Sequence, residues 1–346
     1  MFRNRPIFGM IQILIFASVP AAAEDHSHHH GSGIATRADL YAPMGVMGEH
    51  MHGAGGFMLS YRYMHMRMDG NRIGRNSVSA SSVLASGYMA TPTDMDMDMH
   101  MFGAMYAPFD WLTLTAMIPY VEKSMNHRSG MGPFETKSDG VGDFQLGGLL
   151  RLWQNETHHF HLNFSVGFPT GGIDHEDSVP VPMLGFQKRR LPYPMQIGSG
   201  SYFLQPGITY TGKCEHFSWG VQALGRFHLN ENDNDYTVGD RGDFTGWFAV
   251  PVLPWLSISA RAVGRVWGNY SGADPALNPM AVPTADPKLR GGEQVDLAPG
   301  LSFTVPLGPL GEHRIAIEAL LPVYRSLDGP QLETDWSIVV GWQKAF

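Results

Sequence analysis

The stretch HFHLNFSVGFPTG, residues 159–171, alternates in character along most of its length. Its even-numbered residues from Phe160 to Phe168 are apolar, whereas the odd-numbered residues between them are polar or glycine. A side-chain period of two is typical of a β-strand with one apolar face. The last stretch of the chain, WSIVVGWQKAF at residues 336–346, follows the same pattern for most of its length. Both stretches therefore predict strands.

The same alternation recurs after residue 54 and predicts twelve strands of about 11 to 16 residues, which suits strands that cross a bilayer at a tilt. An even number returns both ends of the chain to one side of the membrane. The strands are expected near residues 55–68, 95–107, 112–122, 141–154, 159–169, 196–211, 216–229, 242–253, 256–268, 293–306, 313–325 and 333–346.

Short and long connections alternate between these strands. The short ones are PFDW, NETH, GKCEH, LPW and GPLGEH, and the long ones lie near residues 69–94, 123–140, 170–195 and 269–292. Short periplasmic turns and long extracellular loops are typical of outer-membrane barrels. A soluble β-sandwich, the alternative, has shorter strands and loops of similar length at both ends. The sequence therefore predicts an all-β fold, a single antiparallel transmembrane β-barrel of about 12 strands.

The N-terminus predicts export. Arg3 and Arg5 precede an apolar stretch at residues 7–19, and Ala23 closes a run of small residues. This order is typical of a secretory signal peptide, and the apolar stretch is too short to span a bilayer as a helix. We predict a signal peptide over residues 1–23, a flexible His/Met-rich segment over 24–53, a barrel over 54–346, and a place in the cell outer membrane.

The composition limits the classes of partner that this protein is expected to bind. Only 16% of the residues are charged and the formal net charge is −8, which does not favour nucleic acid. A single cysteine, Cys214, excludes an intramolecular disulfide. The expected partners are outer-membrane lipid, a small-molecule or metal-ion cargo, and the outer-membrane assembly machinery. The machinery is expected to recognise the aromatic-rich last strand, which ends at Phe346.

Polar residues within the strands are expected to face the lumen, because charge on the lipid face costs roughly 2–4 kcal/mol at mid-bilayer. Each could line a path for cargo or form a structural ion pair. Twelve strands predict a narrow pore, or one plugged by residues 24–53, which could also extend into the periplasm. The predicted lumen-lining residues are Arg62, Arg151, His161, Arg226, His228, Arg261, Arg265 and Glu318.

Methionine and histidine are concentrated in the first third of the chain, with 16 of the 21 methionines between Met44 and Met131. Soft sulfur selects Cu(I), and imidazole also accepts Cu(II), so the pattern favours copper. The alternative is that flexible methionines only pack the lumen. After cleavage, the sequence Glu24-Asp25-His26 could also bind Cu(II). The candidate metal ligands are His26, His28, His29, His30, His50, Met51, His52, Met58, Met64, Met66, Met99, His100, Met125 and His127.

Three stretches carry a resemblance to a known family: MGEHMHGAGGFMLSYRYMHMRM (47–68), DMHMFGAMYAPFDWLTLTAMIPYVEKSMNH (98–127) and GVGDFQLGGLLRL (140–152). They resemble outer-membrane barrel transporters named for the meta pathway of phenol degradation, and in particular the Met/His-rich members associated with copper. The resemblance implies a barrel in the outer membrane. It also implies uptake of aromatic compounds through the family name, and it identifies no catalytic residues.

The function expected from these observations is an outer-membrane channel or transporter linked to copper or another heavy metal. A channel for small hydrophobic or aromatic compounds and a non-conducting metal-binding envelope protein are the alternatives. We expect no enzyme, since the only Ser/His pairing of note, His127 with Ser124 or Ser129, is local in sequence. No cofactor is expected to be required, although Cu(I) or Cu(II) could be bound.

Overall fold

The computed structural model describes residues 37–306 and 312–346, and nearly all of its regular structure is β-strand. The strands are β1 (Phe57–Gly74), β2 (Asn76–Val78), β3 (Ala90–Phe109), β4 (Leu112–Ser129), β5 (Gly132–Val141), β6 (Phe144–Gln154), β7 (His158–Phe168), β8 (Glu176–Val181), β9 (Gly185–Arg190), β10 (Phe203–Lys213), β11 (Ser218–His228), β12 (Tyr236–Thr237), β13 (Arg241–Leu253), β14 (Leu256–Trp267), β15 (Ser271–Gly272), β16 (Gly292–Pro306) and β17 (Glu312–Ala345). One α-helix, α1 (Ala80–Ala85), and four 3-10 helices, at Ala38–Leu40, Tyr193–Met195, Pro283–Ala285 and Pro287–Leu289, complete the described elements. None of the described helices has the length and apolar character needed to cross a membrane.

Eleven of these elements close into a barrel in the order β1, β3, β4, β6, β7, β10, β11, β13, β14, β16 and β17, and β17 pairs back onto β1. Every pairing around the ring is antiparallel. Two further strands lie outside the ring, where β2 pairs with β1 and β5 pairs with β4.

The last element, β17, makes two passes through the wall. Its residues from Glu312 to Leu327 pair with β16, and those from Leu327 to Ala345 pair with β1. A ring in which every pairing is antiparallel needs an even number of passes, so the chain must reverse direction within the 34 residues of β17. Ten single-pass strands and this double pass make twelve, which confirms the prediction.

The distribution of side chains is inverted relative to a soluble protein. Large apolar residues are exposed around the outer wall, among them Phe102, Leu114, Phe164, Val221, Phe244, Ile258, Leu297 and Ile315. Polar residues are buried inside, among them Ser60, Thr113, His161, Asn163, Thr209, Gln222, Glu318 and Gln343. An apolar belt outside a polar interior is the signature of a transmembrane barrel. The prediction of an outer-membrane barrel is confirmed.

The two ends of the barrel differ as predicted. The short turns occupy residues 110–111, 155–157, 214–217 and 254–255, and the predicted link GPLGEH lies largely outside the described residues. We call this the short-turn end, and the opposite end, with connections such as 169–202 and 268–291, the long-loop end. In outer-membrane barrels these ends face the periplasm and the exterior, respectively.

Two predicted loops are largely strand. Residues 69–94 were expected to be a loop, but β1 continues to Gly74 and β3 already begins at Ala90. Residues 123–140 were also expected to be a loop, but β4 and β5 pair there as a hairpin from Tyr120–Val141 to Ser129–Gly132. These extensions carry polar residues on their outer face, so the apolar alternation that marks a membrane strand is absent from them.

Candidate functional site in the barrel lumen

Residues 37–56, which we call the lumen segment, enter the barrel from the short-turn end and return to it. At the entry, the Arg37 guanidinium donates to the carbonyl of Cys214 at 2.7 Å. At the exit, the amide of Ala54 donates to the Asp110 carboxylate at 2.8 Å. Between these points Met44 and Glu49 are buried. This packing corrects the expectation of a flexible segment for residues 37–53, whereas residues 24–36 lie outside the described part of the chain.

Side chains of the wall satisfy the backbone of the lumen segment, which has almost no regular structure of its own. The Asn163 amide and the His161 ring both contact the carbonyl of Gly48, at 2.8 and 2.9 Å. Gln222 donates to the carbonyl of Met47 at 2.9 Å, and Arg62 donates to that of Met44 at 3.1 Å. Buried carbonyls need such partners, because an unpaired one costs free energy. The polar inner wall therefore holds the lumen segment.

A buried ion pair holds the centre of the lumen segment. Arg261 donates to both carboxylate oxygens of Glu318, at 2.6 and 2.8 Å. The same carboxylate accepts the amide of Gly45 at 2.9 Å. Arg314 lies nearby and donates to the carbonyl of Ala42. Glu318 and Arg314 thus bind the backbone of the lumen segment directly, as Arg62 does.

The other predicted lumen-lining residues also lie on the inner side. Arg265 donates to Asp296 at 2.6 Å, and His228 shares a hydrogen bond of 2.8 Å with Ser201. Arg151 lines a cavity of about 430 Å³ at the short-turn end, together with residues of the lumen segment. Arg226 lines a second cavity, which is described below.

Methionines from three neighbouring strands meet inside the barrel near the long-loop end. Met68 of β1 is directly opposite Met95 of β3, which is opposite Met125 of β4. Directly opposed residues point to the same face, with Cβ atoms roughly 4.5–5.5 Å apart. Met195, at the end of a 3-10 helix, packs against Met95 and Met125 together with the buried Leu191. We call these four residues, Met68, Met95, Met125 and Met195, the thioether cluster.

The loop that carries Met195 is held over the cluster by hydrogen bonds. Lys123, which follows the same inner face of β4, donates to the carbonyls of Pro194 and Gln196 at 2.8 and 2.6 Å. Ser138 of β5 donates to the carbonyl of Met195 at 2.6 Å. Met95, Met125 and Met195 are consequently at most 2% exposed. Sequence patterning missed Met195 because it ends a one-turn 3-10 helix within a long connection that has no periodicity.

Other methionines lie on the same inner face of β1 and β3, between the thioether cluster and the short-turn end. Met66 is opposite Met97, and Met64 is opposite Met99. Met64 packs against the cluster around Met44 of the lumen segment. Alternation alone left open which face of β3 points inward, and the buried position of Met95 on β3 shows that it is the methionine face.

The structure separates His100 from these methionines. His100 stands on the outer face, where its ring Nδ1 lies 2.7 Å from the Tyr61 hydroxyl. On that face Arg67 donates to Asp96 at 2.7 Å, and Tyr63 donates to Asp98. His100 and Met99 therefore cannot serve one metal site.

The remaining metal candidates fall into two places. In the lumen segment, His50 and His52 stack edge to face with centroids 4.9 Å apart, and Met51 packs beside Met58. His127 is two residues beyond Met125 on the same buried face of β4, where it lines the cavity described next. Within residues 37–306 and 312–346, no group of three His, Cys, Asp or Glu side chains is placed to hold a metal. His26, His28, His29 and His30 lie outside the described residues.

An apolar cavity of about 620 Å³ opens among the long loops. Its lining includes Phe134, Val179 and Leu277. His127 also lines it, stacked flat on Phe134 with centroids 4.6 Å apart. The Nδ1 of His127 is buried and has no hydrogen-bond partner among the described residues. This cavity is suited to a small apolar molecule.

Three tyrosines tie the long loops together. The ring of Tyr193 lies 4.9 Å from that of Tyr236 and 5.1 Å from that of Tyr270, measured between centroids. The Tyr193 hydroxyl accepts the amide of Asp274 at 3.0 Å. Burial raises the pKa of all three phenols, because the charged form loses its hydration. They therefore stay neutral at physiological pH.

Comparison with solved structures supports the fold. An outer membrane channel from Pseudomonas putida F1 matches with a TM-score of 0.60 and 13% sequence identity, covering 86% of this chain and 98% of that one. The translocator domain of the autotransporter NalP from Neisseria meningitidis matches with a TM-score of 0.47 and 12% identity over 86% and 91% of the two chains. The CymD monoaromatic hydrocarbon channel matches with a TM-score of 0.42 and 9% identity over 85% and 89%. No family model and no curated protein matches the sequence.

Proposed function

We propose that this protein is an outer-membrane channel that handles copper and binds Cu(I) at the thioether cluster. The observation that carries this proposal is the alignment of Met68, Met95 and Met125 on three adjacent strands, with Met195 closing over them. Soft thioether ligands select Cu(I) over harder ions. Three or four of them converging in a buried place form a site of the type that Cu(I) prefers.

The choice of residue favours a ligand role over simple packing. Leucine would fill the same space, and methionine loses more side-chain entropy when it is fixed. Elsewhere the inner wall is largely polar, so apolar filling is not its general rule. The methionines also continue from the cluster toward Met64 and Met44, as a path for a soft ion would.

Titration of the refolded full chain with Cu(I), in competition with a chromophoric Cu(I) chelator, tests this proposal. Replacing both Met95 and Met125 by leucine keeps the volume nearly constant and removes two sulfurs. We expect this double variant to weaken Cu(I) binding by at least tenfold. Met105→Leu, a buried methionine outside the cluster, is the matched control. Equal binding by the double variant and the wild type would reject the proposal.

The apolar cavity among the long loops favours a second candidate, a channel for small hydrophobic or aromatic compounds. Its lining is largely apolar and includes Phe134, Val179 and Leu277, and the His127 Nδ1, which has no partner among the described residues, could bond one polar group of a bound molecule. Phenol binding measured by saturation-transfer NMR tests this candidate. Leu277→Arg should abolish the signal, and no phenol signal in the wild type would dismiss the cavity as a capture site.

Conduction is a separate question, because the lumen segment occupies the path. Planar-bilayer recordings of the full chain and of a variant lacking residues 37–53 would measure it. We expect small or intermittent conductance for the full chain and a larger, steady conductance for the deletion. Silence of both proteins would favour a non-conducting metal-binding role.

A further inference from the structure

Five arginines surround one internal cavity. A space of about 290 Å³ lies between the lumen segment and the wall, and only two carboxylates, those of Glu49 and Asp243, contribute to its lining. None of the four residues of the thioether cluster lines this space. We call it the arginine cavity. The arginines that line it are Arg62, Arg226, Arg241, Arg261 and Arg265.

Three of the five arginines have carboxylate partners. Arg261 is bound by Glu318, as described above. Arg265 pairs with Asp296 at 2.6 Å, and Arg241 pairs with Asp243 at 2.7 Å. The charge of these three side chains is therefore compensated.

The other two have no such partner. Arg226 bonds only the neutral side chain of Gln205, at 2.9 and 3.1 Å, and lies 4.5 Å above the ring of Phe203. Arg62 donates to the carbonyl of Met44, and the Glu49 carboxylate of the same cavity attracts it from beyond ion-pair distance. Within the described residues, no carboxylate oxygen lies within 4.0 Å of either guanidinium.

The register places a second arginine beside Arg226. On the paired strands β11 and β13, Arg226 is directly opposite Arg241. Like charges in directly opposed positions destabilise a sheet. Asp243 offsets part of this repulsion, because it binds Arg241, whereas Arg226 has only the neutral Gln205 as its hydrogen-bond partner.

We propose that the arginine cavity binds a small oxyanion, such as inorganic phosphate or a small carboxylate, at Arg226. The planar guanidinium presents its donors in a fork that matches two oxygens of an oxyanion. Away from bulk water, this attraction is stronger than at an exposed surface. The lumen should then favour anions, and copper held at the thioether cluster should not pass the cavity as a bare cation. The inference does not rest on the proposed copper function.

Isothermal titration of the detergent-solubilised full chain with inorganic phosphate, at constant ionic strength, tests this site. We expect saturable binding by the wild type and at least a tenfold weaker affinity for the Arg62→Gln/Arg226→Gln double variant. Arg128→Gln removes an exposed arginine outside the cavity and should bind as the wild type does. Heat-modifiable mobility in electrophoresis shows that each variant is folded.

If the double variant does not fold, the single variant Arg226→Gln replaces it in the test. This substitution leaves no buried charge without a partner, because the hydrogen-bond partner of Arg226, Gln205, is neutral. It should also weaken phosphate binding and reduce the anion preference in reversal-potential recordings. Absence of phosphate binding by the wild type would overturn the proposal. Unchanged affinity in both arginine variants would overturn it equally, since binding would then lie elsewhere.

Discussion

Glu318 joins Arg261 of the wall to the lumen segment, since its carboxylate accepts from Arg261 at 2.6 and 2.8 Å and from the amide of Gly45 at 2.9 Å. Removing this charge leaves a buried guanidinium without a partner, which costs roughly 3–5 kcal/mol. We predict that Glu318→Gln lowers the free energy of unfolding in urea and exposes residues 37–56 to protease. Glu231→Gln, in an exposed loop, is the control. Protection of the segment in the Glu318 variant would show that this ion pair is not its anchor.

Gly167 leaves room for the aromatic ring over which Arg226 lies. A Cβ at Gly167 would lie 2.0 Å from the ring of Phe203, which is 1% exposed and supports Arg226. We predict that Gly167→Val destabilises the barrel by about 1–3 kcal/mol, as overpacking does. At Gly246 the nearest atom is 3.6 Å away, so Gly246→Val should be tolerated. Equal unfolding midpoints for the two variants would contradict this account of the ring.

The lipid-facing belt can be tested with one substitution in two environments. Phe244 on β13 and Phe186 in the β8–β9 hairpin are exposed to similar extents, 59% and 63%. We predict that Phe244→Arg costs roughly 2–4 kcal/mol in bilayers, because it places a charge in hydrocarbon. Phe186→Arg should cost almost nothing, because that loop is in water. Similar losses of folding free energy in lipid vesicles would mean that Phe244 does not face lipid.

The three tyrosines that pack between the long loops predict that the folding stability decreases at alkaline pH. Burial raises the pKa of Tyr193, Tyr236 and Tyr270, so the folded state binds their protons more tightly than the unfolded state. Their contribution is complete below the unfolded pKa of about 10 and is lost as the pH rises through the folded values. Absorbance at 295 nm should show late-titrating phenols in the wild type and fewer in Tyr236→Phe. Titration of every tyrosine near its unfolded value would contradict the packing.

Strand alternation predicted most of the wall, because lipid on one side and a polar lumen on the other impose a period of two. Alternation predicted the strands around Phe160 and Phe244 correctly, because side chains that face lipid must be apolar. It failed at residues 123–140, because β4 and β5 continue above the membrane, where neither face must be apolar. The strand content was thus predictable only where the bilayer constrains it.

The interior was less predictable. The lumen segment is fixed by wall side chains such as Asn163 and Gln222 bonding its carbonyls, and this leaves no periodic trace in residues 37–56. The inward face of β3 could not be chosen from alternation, because Met and Asp alternate there and either could face inward. Packing against Met68 and Met125 decided it.

Copper K-edge X-ray absorption of the Cu(I)-loaded full chain tests the central claim most directly, because it identifies the donor atoms. The thioether cluster predicts a first shell dominated by sulfur in the wild type, which the Met95→Leu/Met125→Leu variant loses and the Met105→Leu variant keeps. A shell of nitrogen and oxygen alone, or a sulfur shell that survives in the double variant, would contradict the assignment of copper to this cluster.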